Sequence, residues 1–172
     1  MTPSIAIRRY TPEDIPVLFE AVRESIPEAT RWMSWCTPEY SLDDTKQWIA
    51  RRDQEWENGS DYPFAIVDSI TGEYYGGCGI NQVNRMHNFC NLGYWVRTPS
   101  ANRGIVTAAV PLVAEFAFRE LKMERVEIVM SVGNLASRRV AEKAGALYEA
   151  TLRRRLRLHT EYNDAWMFSL VK

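Results

Sequence analysis

The stretch MERVEIVMSVGNLASRRVAEKAGA, residues 123–146, decides the fold class. Its first ten residues are rich in β-branched side chains and predict a strand. The remainder predicts an amphipathic helix, because Leu135, Val140, Ala141 and Ala144 fall near one face at helical spacing. Asn134 suits the N-cap, and Gly145 ends the helix as a C-cap glycine does.

Working toward the N-terminus, ANRGIVTAAVPLVAEFAFRE, residues 101–120, predicts a helix from about Gly104 to Leu121 that tolerates Pro111. The chain enters it through Asn102-Arg103-Gly104. That entry is either a plain turn or a cradle in which a phosphate meets the free N–H groups and positive dipole end of a first helical turn. Further upstream, IAIRRY predicts a first strand. TPEDIPVLFEAVRESI predicts a helix, with Thr11 as cap and Pro12 at its first position. SLDDTKQWIARRDQEW predicts one more helix, with Ser41 as cap and Asp44 three residues on. YPFAIVDS and EYYGGCGINQV form a strand pair around Thr71-Gly72. NFCNLGYWVR is a strand with Leu92, Tyr94 and Val96 on one side and Gly93, Trp95 and Arg97 on the other. Two closing strands, LYEATLRRRLRL and YNDAWMFSLVK, follow residue 146. The order of elements describes a mixed α/β domain, with a mixed sheet and helices on both faces. No repeat or linker divides the 172 residues, so one domain, 1–172, is expected.

Composition removes several functions. With 46% hydrophobic and 25% charged residues and a net charge of −1, no global field points to nucleic acid or to an anionic membrane. The first ten residues lack the apolar core of a signal peptide, and no stretch reaches membrane-spanning length. Cys36, Cys78 and Cys90 have no CxxC spacing and read as buried thiols of a reducing, cytoplasmic compartment. GxxxxGK[ST], GxGxxG and GxSxG are all missing. The two histidines, His87 and His159, stand far apart without metal-ligand spacing, so no metal is expected.

Several stretches together resemble the GNAT superfamily of acyl-CoA N-acyltransferases, and within it the RimJ/RimL-type, ribosomal-protein N-acetyltransferase-like branch. They are LGYWVR, the run from Arg103 to Arg153, YNDAWMFSLVK and the early RWMSW and SLDD. The most specific element is Asn134-x-x-Ser137 followed by Gly145. The resemblance implies a central, mostly antiparallel sheet with a V-shaped splay between the strand ending near Arg97 and the one starting near Glu124. It implies acetyl-CoA as cosubstrate, with its pantetheine arm against the backbone of Trp95, Val96 and Arg97. The pyrophosphate would rest on Asn102, Arg103, Gly104, Ile105, Val106 and Thr107, within the segment from Ala101. Asn134 would bond the pantetheine arm, and Ser137 would protonate the departing thiolate. Taken alone, Asn134 reads as a helix cap and Ser137 as a polar first-turn residue. Ala101 and Val106 depart from the family pattern of Gln or Arg, two residues, Gly, one residue, Gly or Ala. A branched Val106 crowds the phosphate if its side chain faces it. The branch's glutamate base corresponds to Leu156 here, which leaves Glu115, Glu127 and Glu149 as carboxylates to consider.

Trp32, Trp35 and Tyr40 read either as walls of an acceptor pocket or as core. RRRLR places Arg153, Arg155 and Arg157 on one strand face, and GGCG at residues 76–79 suggests a bulge or a close backbone approach. The expected function is transfer of an acetyl group from acetyl-CoA to a primary amine, either a protein N-terminus or a small molecule. The alternative is a non-catalytic acyl-CoA-binding regulator. No nucleic-acid or membrane partner is expected, and a homodimer is left open.

Overall fold

The computed structural model describes residues 4–172. Seven strands form one sheet: β1 (Ile5–Arg9), β2 (Tyr62–Asp68), β3 (Tyr74–Asn84), β4 (Phe89–Val96), β5 (Arg125–Ser131), β6 (Leu147–Leu158) and β7 (Glu161–Val171). Their order is β1-β2-β3-β4-β5-β7-β6, and only the β4–β5 pair is parallel. Five helices cover it: α1 (Ile15–Ala29), α2 (Leu42–Ala50), α3 (Arg52–Asn58), α4 (Ile105–Arg119) and α5 (Leu135–Lys143).

The expected two-sided burial is present. On one face α4 buries Ile105, Val106, Ala109, Val110, Val113 and Ala117 against Ile66, Ile80, Leu92 and Ile128 of the sheet. On the other, Leu18, Ala21 and Val22 of α1 and Ile49 of α2 pack against Ala65 and Val67. Each buried Val, Leu or Ile among them stabilises the fold by roughly 1.5–3 kcal/mol. Pro111 is tolerated because it lies on the exposed side of α4.

One break in the pairing positions everything that follows. β4 and β5 are paired only from Phe89↔Arg125 to Asn91↔Glu127. Beyond Asn91, β4 stays with β3 as far as Gly76↔Val96, whereas β5 stays with β7 as far as Ser131↔Ala165. The two strands part, and β4 is left with an unpaired edge from Leu92 to Val96. This is the V-shaped splay.

Two expectations are corrected. The helix predicted from Ser41 onward is two helices, divided at Arg51. Arg52 turns inward instead of continuing α2, and its Nε donates to the Trp48 carbonyl at 2.8 Å. The arginines of β6, all exposed, do not sit on a regularly paired strand. The register steps from Leu152↔Ala165 to Leu156↔Asn163, so a bulge interrupts the alternation. Arg154 within it has φ +51°, and its N–H donates to Asp164 at 2.8 Å. A bulge lies immediately before the GGCG segment, at Tyr75, since Ile66 pairs with Gly76 and Val67 with Tyr74.

Candidate active site

The unpaired edge of β4 is the first component. Successive backbone groups of a strand face opposite neighbours. Arg97 N–H donates to Tyr75 O at 2.9 Å, toward β3, so the N–H of Val96 points into the splay. Arg97 has nothing to offer there: its carbonyl accepts from Ser100 N–H at 2.9 Å, and its guanidinium is paired with Glu24. Trp95 faces β3 with its backbone and the opposite side of the sheet with its ring, which packs edge-on against Trp35 at 5.7 Å. Of the three residues at the end of β4 expected to meet a pantetheine arm, only Val96 presents a main-chain donor to the gap.

The start of α5 is the second. Asn134 Oδ1 accepts from Ser137 N–H at 3.1 Å, so Asn134 is a true N-cap. Its Nδ2 makes no hydrogen bond among the described residues. The Ser137 hydroxyl lies 3.0 Å from Tyr94 Oη, and the same phenol donates to the Ser137 carbonyl at 3.0 Å. Tyr94 thus ties β4 to α5 across the splay. Burial pushes its pKa up to about 12, which keeps the phenol protonated at any physiological pH. Sequence reasoning missed Tyr94 as a site residue. Its only signal was the alternation that put it beside Leu92 and Val96.

The third component is the entry to α4. Asn102 and Gly104 both adopt left-handed backbone, with φ +61° and +77°. Asn is the non-glycine residue best suited to that geometry, so the loop keeps a glycine-type shape. No side chain caps α4. The N–H groups of Ile105, Val106 and Thr107 precede the first intrahelical acceptor and are free. The side chains of Ile105 and Val106 are 1% and 8% exposed, within the core. Val106 therefore does not crowd the loop, and only its backbone faces outward. Arg103 is exposed and stacks over the Tyr75 ring at 5.2 Å.

On the opposite face of the sheet a cavity of about 780 Å³ lies beneath α1, α2 and the segment joining them. Gly77, Gly79 and Gly93 pave its floor beside Trp95, and Trp35, Tyr40 and Trp48 stand over it. Trp35 and Tyr40 are thus pocket walls, as one reading of the sequence had it. Trp32 is not. Its ring lies beside Gly133, under the Arg31 guanidinium.

Residues 4–147 match the acetyltransferase (GNAT) domain family. The chain belongs to the GNAT acetyltransferase family. This acetyltransferase is 30% identical to YdaF of Bacillus subtilis (strain 168), which bears the provisional name of a ribosomal N-acetyltransferase. That match covers 98% of this chain and 91% of YdaF. Among solved structures, one described provisionally as a ribosomal-protein-serine acetyltransferase of Vibrio cholerae superposes with a TM-score of 0.86 at 25% identity, covering 100% of this chain and 96% of the other. The fold is shared as well with the microcin C7 self-immunity acetyltransferase MccE, solved with acetyl-CoA and AMP. There the TM-score is 0.90 at 18% identity, with 98% and 93% of the two chains covered.

The three carboxylates considered as bases of this acetyltransferase are engaged elsewhere. Glu115 pairs with Arg119 at 3.1 Å on the exposed side of α4. Glu127 and Glu149 share Arg125, at 2.9 and 2.6 Å. Hydrogen bonds from Arg125 and Ser169 bring the Glu149 carboxyl down to about 2, too weak a base to accept an amine's proton. Leu156 is half-buried in β6. Among the described residues no cluster of His, Cys, Asp or Glu is arranged to hold a metal, and no helix is long and apolar enough to cross a membrane.

The Glu149 shift has a consequence for stability. A carboxylate whose pKa is depressed on folding stabilises the fold above its unfolded pKa and loses that contribution as pH falls through its folded value. The window therefore runs from the ordinary value of 4.5 down to about 2. Exposure of both partners keeps the effect modest. Glu149→Gln is expected to flatten the fall of Tm with pH inside that window. An unchanged slope in thermal melts between those limits would show that the Arg125 pair contributes nothing.

Proposed function

We propose that this acetyltransferase binds acetyl-CoA in the splay and an amine on the opposite face of the sheet, and transfers the acetyl group directly between them. One observation carries the reading. Where β4 leaves β5, the Val96 N–H points into the gap, and Tyr94 of the same strand reaches the Ser137 hydroxyl at the start of α5.

Residue by residue, the chemistry runs as follows. The amides of Ile105, Val106 and Thr107 hold the pyrophosphate, and the Asn102 and Gly104 conformations bring the backbone close to it. Arg103 adds positive charge. Asn134 caps α5 with its oxygen and gives its Nδ2 donor to the pantetheine arm. The amine nitrogen attacks the thioester carbonyl. As the C–N bond forms, negative charge grows on the carbonyl oxygen and is met by the Val96 N–H. The C–S bond then breaks, and the CoA thiolate takes the proton of Ser137, which the serine regains from water. The amine's surplus proton leaves through water in the cavity, since neither Leu156 nor the Arg125-bound glutamates can accept it. The acceptor is a protein N-terminus or a small-molecule amine. Residues 1–172 form one catalytic domain, acting in the cytoplasm, where Cys36, Cys78 and Cys90 stay reduced. In support, all three are buried and unpaired.

An acetyl-CoA titration tests the donor half. Gly104→Val forces a branched side chain into left-handed backbone, which costs about 1–2 kcal/mol. A Cβ there meets no atom within 4 Å, so the strain is confined to the loop. Affinity for acetyl-CoA is expected to fall roughly tenfold. Arg103→Ala is expected to weaken it less and to reduce its dependence on salt. Unchanged affinity in a folded Gly104→Val protein removes the phosphate from this loop.

A further inference from the structure

Behind Asp61, which lines the cavity, lies a charge imbalance that the transfer step does not use. Arg52 is 6% exposed. Its guanidinium stacks on Trp48 at 4.1 Å and faces two carboxylates, Glu55 at 2.5 Å and Asp61 at 3.1 Å. One cation therefore serves two anions, and the group carries one excess negative charge. Glu55 Oε2, in ion-pair contact with Arg52, makes no hydrogen bond among the described residues. Asp61 lines the cavity and is half-buried, with burial raising its pKa despite the arginine beside it. Exposed Glu39, Asp44 and Arg51 line the cavity as well, two carboxylates against one cation. Aromatic faces and carboxylates around one cavity are the surroundings that attract an ammonium group.

We propose that the acceptor is an extended amine carrying a second positive charge, and that Asp61 holds that charge while the first nitrogen reaches the β4 edge. The inference rests on this cavity being the acceptor's side of the sheet. The sheet register sets the length required. Asp61 precedes Tyr62, which pairs with Ile80, and Trp95 pairs with Gly77. Two strand spacings of about 4.8 Å and about four residues of about 3.4 Å separate Asp61 from Trp95, roughly 17 Å between Cα atoms. The Asp61 side chain shortens the span for the ligand, so the two nitrogens stand roughly 12–15 Å apart, the length of about four extended residues. A linear polyamine or a peptide with a basic side chain near its fourth residue meets that demand.

The test compares acceptors matched in length. One arm pairs long linear diamines with the corresponding amino alcohols. The other pairs peptides carrying Lys at the third to fifth position with the same peptides carrying norleucine. The wild-type enzyme is expected to favour the dicationic member by about tenfold or more in kcat/KM. Asp61→Asn is expected to bring the ratio close to one, Asp61→Glu to restore part of it, and added salt to shrink it in the wild type. The arm showing the larger ratio identifies a small molecule or a peptide as the source of the charge. Equal use of both members by the wild type, or a ratio that survives Asp61→Asn, overturns the proposal. If no amine in either arm is acetylated by a protein that binds acetyl-CoA, the amine-transfer reading itself fails.

Discussion

Gly93→Val is expected to cut kcat/KM for the acceptor by about a hundredfold or more while leaving acetyl-CoA affinity nearly unchanged, because small displacements of a reacting group cost that much. Gly93 lies on the cavity side of β4, opposite Gly79 and two residues before Trp95. It differs from the other floor glycines in what surrounds it. A Cβ on Gly77 would stand 2.6 Å from Tyr10 Oη and 2.7 Å from Trp95 Nε1, and one on Gly79 would stand 2.8 Å from Pro63 Cα. Substitution at either would disturb the sheet or its aromatic cover, and lost activity would mean little. At Gly93 a Cβ meets only Asn81 Nδ2, at 3.7 Å. A valine there suits a strand and projects into space now left to a ligand. Thermal melts should show a fold at least as stable as the wild type. Acetyl-CoA titration then reports the far side of the sheet, and steady-state kinetics with a verified amine report the cavity. Full acceptor turnover in a folded Gly93→Val protein would place the acceptor elsewhere.

That experiment uses a feature half visible in the sequence. GGCG suggested a bulge or a close backbone approach; the approach is present at Gly76 and Gly79, and a bulge lies just before the segment, at Tyr75. That the same glycines clear a cavity floor depends on Gly79 facing Gly93 across the strand pair, a tertiary fact. The general division is similar. Asn134, Gly145 and Gly104 were legible because a cap or a left-handed turn is settled by a few neighbouring residues. Their backbone conformations agree, down to Asn102 behaving as a glycine substitute. The sheet and its helices were legible from period and composition. The division at Arg51 was not, because it depends on Glu55 and Asp61 drawing Arg52 inward. The bulge at Arg154 was not, because Asp164 on the neighbouring strand holds it. Val106 looked wrong for a phosphate loop only until its side chain was found in the core. Tyr94 and Ser137 lie 43 residues apart, and nothing local connects them.

That connection makes the remaining prediction specific. If Ser137 protonates the departing thiolate, its contribution belongs to the late transition state, where that charge exists, and not to bound acetyl-CoA. Ser137→Ala is therefore expected to lower kcat with little change in acetyl-CoA affinity. Proton donation commonly contributes about 10²–10⁴-fold, and a thiolate leaves readily, so about tenfold to a hundredfold is expected. Tyr94 acts as a positioning residue. Its phenol holds both the Ser137 hydroxyl and the Ser137 carbonyl at 3.0 Å, and its raised pKa prevents it from ionising in the process. Tyr94→Phe keeps the ring and removes only that hold, so kcat should fall by less than in Ser137→Ala. In the double variant the two losses should not add, because the phenol has no serine left to orient. Asn134→Ala should behave differently, weakening acetyl-CoA binding as well, since its Nδ2 contact is made before the reaction begins. Additive losses from Tyr94→Phe and Ser137→Ala would mean that Tyr94 works independently of the serine. Full turnover in Ser137→Ala, with chemistry shown to limit the rate, would return the serine to the role of a first-turn helix residue and leave water as the proton donor.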